Sequence, residues 1–164
     1  MRTPASIAGH PIHPMIVPIA IGGFVLSFIF DIVCIVTGNV QPWATVAYYT
    51  MIGGIVGALL AAVFGLIDLL SLPAGHTKKV GLTHMVIMLA VVGLFVCNAW
   101  LRHEAPTSTG TPFFLSLIGV ALLAVGGWMG GKLVFEGGVG VSGGEEPTVA
   151  KPTPPASRQT PAAL

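Results

Sequence analysis

Four stretches of the chain are almost continuously apolar, and polar or helix-breaking residues separate them. They cover residues 15–37, 44–72, 83–101 and 113–135. Each reaches roughly 20 residues, the length at which a helix rising 1.5 Å per residue crosses ~30 Å of hydrocarbon. Strands of a membrane barrel would alternate apolar and polar positions, and none of the four stretches does. The breaks are Gly38-Asn39 with Pro42, Pro73 to Lys79, and Arg102 to Pro112, where glycine, proline and clustered charge interrupt a helix. The pattern predicts an all-α integral membrane four-helix bundle over residues 15–136, with an N-terminal segment before it (residues 1–14). The first stretch is too long for a signal-peptide core and no A-x-A site follows it, so it is expected to be retained. Nor is Cys34 a lipobox cysteine, since Val33 stands where a small residue is needed. Residues 137–164 differ in kind: Gly143-Gly144, Glu145-Glu146 and five prolines, with no apolar periodicity, predict a disordered C-terminal tail.

Small residues recur within the spans. Gly53, Gly57, Ala61 and Gly65 lie at steps of four, and Gly119, Gly126, Gly127, Gly130 and Gly131 follow in the fourth span. Ala20, Gly23 and Ser27 do the same in the first. In lipid, where hydrophobicity does not drive helices together, small faces permit close packing. They also leave room for a flat cofactor, and the sequence alone does not separate these readings.

Composition sharpens the class. Of 164 residues, 54% are hydrophobic and 8% charged, against about 25% charged in a soluble domain. This excludes an ordinary soluble enzyme, a nucleic-acid binder and a disordered chain. The net charge of +1 offers nothing to a polyanion. Two cysteines, Cys34 and Cys97, provide neither a disulfide framework nor a thiolate cluster, and their roles stay open. No nucleophile motif, phosphate loop or cofactor fingerprint points to catalysis. Counting bases by side, Arg2, Lys78, Lys79, Lys132, Lys151 and Arg158 share one face and Arg102 stands alone on the other. The positive-inside rule then places both termini in the cytoplasm.

Ionisable groups inside a membrane are functional candidates by default. Asp31 and Asp68 fall within spans one and two. His10, His13, His76 and His84 gather at the face that also holds Asp68, Lys132 and Glu136, whereas His103 lies on the opposite side. His13 and Asp31 are five helical turns apart, joined by a face of small or polar residues through Ala20, Gly23 or Phe24, and Ser27. On span two the matching stripe is Gly54, Ala58, Ala61, Gly65 and Asp68, and on span three His84, Met88, Val91, Phe95 and Asn98. A bundle would turn His13, Asp68 and His84 toward one another at one end. Two histidines at equal depth on parallel spans can hold a haem iron from both faces, and histidines with Asp68 could instead ligate a single metal ion. His10 with His13 is a weaker pair, because Pro11 and Pro14 interrupt regular helix there. Plainer roles are available for each. An interfacial histidine can be an anchor, and His76 beside Lys78 and Lys79 a solvated loop residue. Asp68 can pair with Lys132, Asp31 can fix helix register, and Asn98 can bond between helices.

Some of these residues carry a family resemblance. Gly9-His10-Pro11-Ile12-His13-Pro14-Met15 with Pro18, Phe64-Gly65-Leu66-Ile67-Asp68, and Gly127-Trp128-Met129-Gly130-Gly131-Lys132-Leu133-Val134-Phe135 are similar to signatures of the domain-of-unknown-function family 2231. Its members are small bacterial four-span membrane proteins. The resemblance runs from about Gly9 to Val141 and takes in the His84 region. Where relatives commonly have a basic pair, this chain has Glu136 and Gly137. Some relatives carry a fused Rieske-type iron–sulfur domain, so the resemblance implies membrane redox chemistry, with haem b as a fitting cofactor. It also implies a bacterial inner membrane and an iron–sulfur protein or membrane redox complex as partner. The reading that results is an electron-transfer protein with His13 and His84 as axial ligands, Asp68 behind them and His10 nearby. The alternatives are a non-enzymatic accessory subunit of a larger membrane complex, and a small proton-coupled carrier using Asp31 and Asp68.

Overall fold

The computed structural model describes residues 3–141. A two-stranded antiparallel hairpin, β1 (Ser6–Ile7) and β2 (His10–Pro11), precedes four helices: α1 (Ile12–Thr37), α2 (Val40–Ser71), α3 (His76–Arg102) and α4 (Thr111–Phe135). All four are long and apolar enough to cross a membrane. Short connections make each helix antiparallel to the next, so α1 and α3 run one way and α2 and α4 the other.

The helices begin earlier than the apolar runs. Polar residues occupy first turns that lie outside hydrocarbon, where water or lipid headgroups can satisfy them. His13 is therefore inside α1. His76, Lys78 and Lys79, expected in a loop, open α3, and the Lys78 ammonium donates to the Leu72 carbonyl at 2.9 Å. In α2 the first turn is irregular at Gln41 and precedes the apolar run. At the end of α1, Gly38 takes a left-handed conformation (φ +66°), the usual C-terminal stop for a helix.

Packing inverts the soluble pattern. Trp100, Trp128, Phe135 and Leu70 face outward, as lipid permits. The interior is built from small residues and a few large ones, with Phe24, Met51, Val91 and Phe95 fully buried. At the centre the Phe24 and Phe95 rings stack with centroids 4.0 Å apart and planes 6° from parallel. α1 and α2 approach closely at Gly23, where a Cβ would sit 2.5 Å from the Gly54 Cα. The stripes read from the sequence are the buried ones: Ala20, Phe24, Ser27 and Asp31 on α1, and Gly54, Ala58, Ala61 and Asp68 on α2. Gly53, by contrast, faces open space.

The chain ends fold against the bundle. The Ile12 N–H bonds the Ala5 carbonyl and the Ala5 N–H donates to Asp68 Oδ1 at 3.0 Å. Past α4 the chain turns back through bonds from the Gly137, Gly138 and Val139 N–H groups to the last carbonyls of the helix, which brings Gly140 against Pro11. The tail expected from residue 137 therefore has an ordered first stretch, because those backbone donors close the helix end. Residues 142–164, the rest of that expected tail, lie outside the described residues.

Candidate functional site

The Phe24–Phe95 stack gives a common depth mark on α1 and α3. His13 and His84 each precede it by 11 residues, about 16 Å along a helix. Asp31 and Arg102 each follow it by seven, about 10 Å. The bundle thus has an imidazole end and a charged end, separated by roughly the thickness of the hydrocarbon core.

At the imidazole end the two rings are held alike. His13 Nδ1 lies 2.7 Å from the Ala61 carbonyl of α2, and His84 Nδ1 lies 2.9 Å from the Gly126 carbonyl of α4. A carbonyl oxygen only accepts, so Nδ1 carries the proton in both. In the neutral ring this leaves the Nε2 lone pair uncommitted. Each ring rests on a glycine one turn further along the same neighbour. A Cβ on Gly65 would lie 2.8 Å from His13 Nδ1, and one on Gly130 would lie 3.4 Å from His84 Cε1. Both rings are half-buried.

Among the described residues no side-chain hydrogen bond joins the other residues expected at this end to the pair. His10 is exposed in the hairpin, its Nδ1 bonded to Ala8 O at 3.1 Å, so His10 and His13 belong to different elements. Asp68 is buried at the same end, but its carboxylate holds the Ala5 N–H and ties down the N-terminal hairpin. Pairing of Asp68 with Lys132 is not formed. His76 is exposed at the start of α3. Met88 packs its sulfur over Gly126, a core role. Among the described residues, no group of three His, Cys, Asp or Glu side chains is placed to hold a metal ion.

The charged end is a closed network. Arg102, counted from the sequence as a solvated base, is fully buried. Its Nη1 and Nη2 donate to Asp31 Oδ1 and Oδ2 at 2.6 and 2.8 Å. Nε donates to Asn98 Oδ1 at 2.9 Å, and Nη2 also reaches Ser116 Oγ at 3.2 Å. Ser116 donates to Asp31 Oδ2, while the Asn98 amide donates to Pro112 O and Ser116 Oγ. A bidentate pair with further hydrogen bonds to both partners is the form in which a buried ion pair is tolerated. Sequence reading missed Arg102 and Ser116. Two signals pointed to Arg102: an acid at Asp31 deep in a span needs a base, and Asn98 and Arg102 stand one turn apart on one helix face. His103 is exposed at this end beside Glu104, Cys34 is buried near the α1–α2 turn, and Cys97 faces outward.

The comparisons agree with this architecture. A family model described as a predicted membrane protein (DUF2231) matches residues 9–143. No curated protein and no solved structure shows a significant match to the chain. The match takes in β2, all four spans, both imidazoles and the charged network, and the chain belongs to this membrane protein family.

Proposed function

We propose that the protein is a membrane redox protein that binds haem b through His13 and His84. The observation that carries this is the matched restraint of the two imidazoles, each donating Nδ1–H to a backbone carbonyl and keeping Nε2 for a ligand bond. A second partner on the far nitrogen that fixes tautomer and ring orientation is the usual support for a metal-bound histidine. Two protein ligands are too few for a bare structural or catalytic ion, which takes three or four. They suffice when the other four donors come with the metal, as in a haem with two axial ligands. Neutral imidazoles also leave no fixed charge buried at the site. When bound, the iron would supply one-electron transfer.

The same reading places the imidazole end in the cytoplasm of a bacterium, with the protein in the inner membrane and both termini inside. Lys78, Lys79 and Lys132 lie at that end. Arg102, once turned into the bundle, no longer counts as a flanking base on the other side. The electron partner would be an iron–sulfur protein or a membrane redox complex docking at the histidine end.

Detergent-purified protein from haem-replete cells is expected to show a Soret band that shifts on reduction, with sharp α and β bands of six-coordinate low-spin iron. His13→Ala and His84→Ala should each abolish or distort that spectrum and leave the bundle folded. Colourless protein that takes up no added hemin overturns the haem reading, and elemental analysis of the same sample then tests for another metal.

A further inference from the structure

The two imidazoles are held alike because of a wider correspondence. His13, Ile16, Gly22, Phe24 and Val25 recur 71 positions later as His84, Ile87, Gly93, Phe95 and Val96. On the partner helices Gly54 and Gly65 recur 65 positions later as Gly119 and Gly130, and Ala61 is matched by another small residue, Gly126. The matched residues do the same work. Phe24 lies over Gly54 and Phe95 over Gly119, where an added Cβ would meet the ring at 2.7 Å in both cases. His13 bonds the Ala61 carbonyl and His84 bonds that of Gly126. The Phe24 and Phe95 rings stack on each other nearly parallel, an arrangement that a two-fold axis passing between them permits.

We infer that the chain is a tandem pair of one helical hairpin, with α1–α2 and α3–α4 related by a pseudo-two-fold axis along the membrane normal. We further infer that the Asp31–Arg102 network sets the specificity of the joint between the two copies. Asp31 and Arg102 are themselves 71 positions apart and occupy the same place in the two copies. In a symmetric pair of identical hairpins this place would set Asp against Asp or Arg against Arg, which is costly away from water. One acid and one base make each copy complementary to the other and repellent to itself. Supporting residues have diverged the same way. Ser27 stands where the second copy has Asn98, and Met51 where it has Ser116. Asn98 and Ser116 serve the guanidinium, whereas the buried Ser27 hydroxyl has no hydrogen-bond partner among the described residues. On this account Ser27 holds the position of a guanidinium partner in the copy that has no guanidinium. The inference rests on packing alone and not on the haem reading.

Exchange across the axis tests it in the full chain. One variant carries Ser27→Asn, Asp31→Arg and Met51→Ser, which sets a second guanidinium against that of Arg102. A second adds Asn98→Ser, Arg102→Asp and Ser116→Met, which rebuilds the whole network in the exchanged positions. Folded protein extracted from membranes should fall roughly tenfold or more in the first variant, the scale expected when buried charges lose their partners. The second should recover most of that loss, with a thermal midpoint near that of the unmodified chain. A second variant no better than the first overturns the inference, because the two sets of positions would then not be equivalent.

Discussion

The two ends of the bundle handle buried polarity in opposite ways. At the charged end the side chains of Asp31, Arg102, Asn98 and Ser116 are turned on one another, each bonded to at least one other member of the group. At the imidazole end His13 and His84 each commit one nitrogen to a carbonyl and leave the other uncommitted. A membrane protein needs polar contacts to fix which helices meet and in what register, and such contacts work best when closed. Polar groups that are positioned but left with a valence are the ones to read as functional. The contrast also bears on the carrier reading. Both Asp31 oxygens are already engaged, by a guanidinium and a serine hydroxyl, which argues against Asp31 as a moving proton site.

The largest expected effect comes from opening the closed end. Arg102→Ala leaves Asp31 as an uncompensated buried charge, at a cost of about 3–5 kcal/mol. Membrane accumulation and thermal midpoint should both drop sharply. Asp31→Leu combined with Arg102→Met removes both charges, and apolar replacement of a buried pair is often neutral. That double variant should recover most of the loss in a thermal denaturation series. If Arg102→Ala melts like the unmodified protein, the network is not what holds the helices in register.

Much of this contrast is legible in the sequence, and its limits have physical causes. Span number follows from composition, because only long apolar runs cross hydrocarbon. The buried stripes on α1, α2 and α3 follow from helical periodicity, which puts His13 and His84 on inward faces at one end. Arg102 is misplaced by such a reading because it closes an apolar run, where a solvated base and an inward-turned one look the same. Only the position of Asp31 across the bundle tells them apart. Asp68 reads as a neighbour of the imidazoles because the helical wheel gives its face and depth. The wheel is silent on a hairpin of residues 3–11 that folds under the bundle to meet it. The restraint of each histidine by a carbonyl lies in backbone atoms, to which side-chain patterns are blind.

A smaller effect is expected at Asp68. Its bond to the Ala5 N–H is one buried contact, worth about 1–3 kcal/mol when the acceptor is removed. Asp68→Leu should loosen the N-terminal hairpin, seen as faster proteolysis or amide exchange over residues 3–11, with little change in melting of the four helices. Asp68→Asn keeps an acceptor oxygen and should protect the segment nearly as well. Global unfolding in Asp68→Leu would show that the carboxylate belongs to the bundle rather than to the strap. The comparison of ends would then be wrong about where structural polarity is concentrated.

The smallest effect is expected at His103, the one histidine at the charged end. It is 65% exposed, its partner Glu104 is 92% exposed, and ion pairs so open to solvent contribute little. It makes no contact with the Asp31–Arg102 network among the bonds of the described residues. His103→Ala should therefore leave membrane accumulation, melting and any haem spectrum unchanged within error, under the conditions in which His13→Ala and His84→Ala are measured. The variant separates two meanings of histidine in one protein: two rings oriented by the fold and one merely carried on its surface. A spectrum altered by His103→Ala would place ligand chemistry at the closed end, and the division of labour between the two ends would fail.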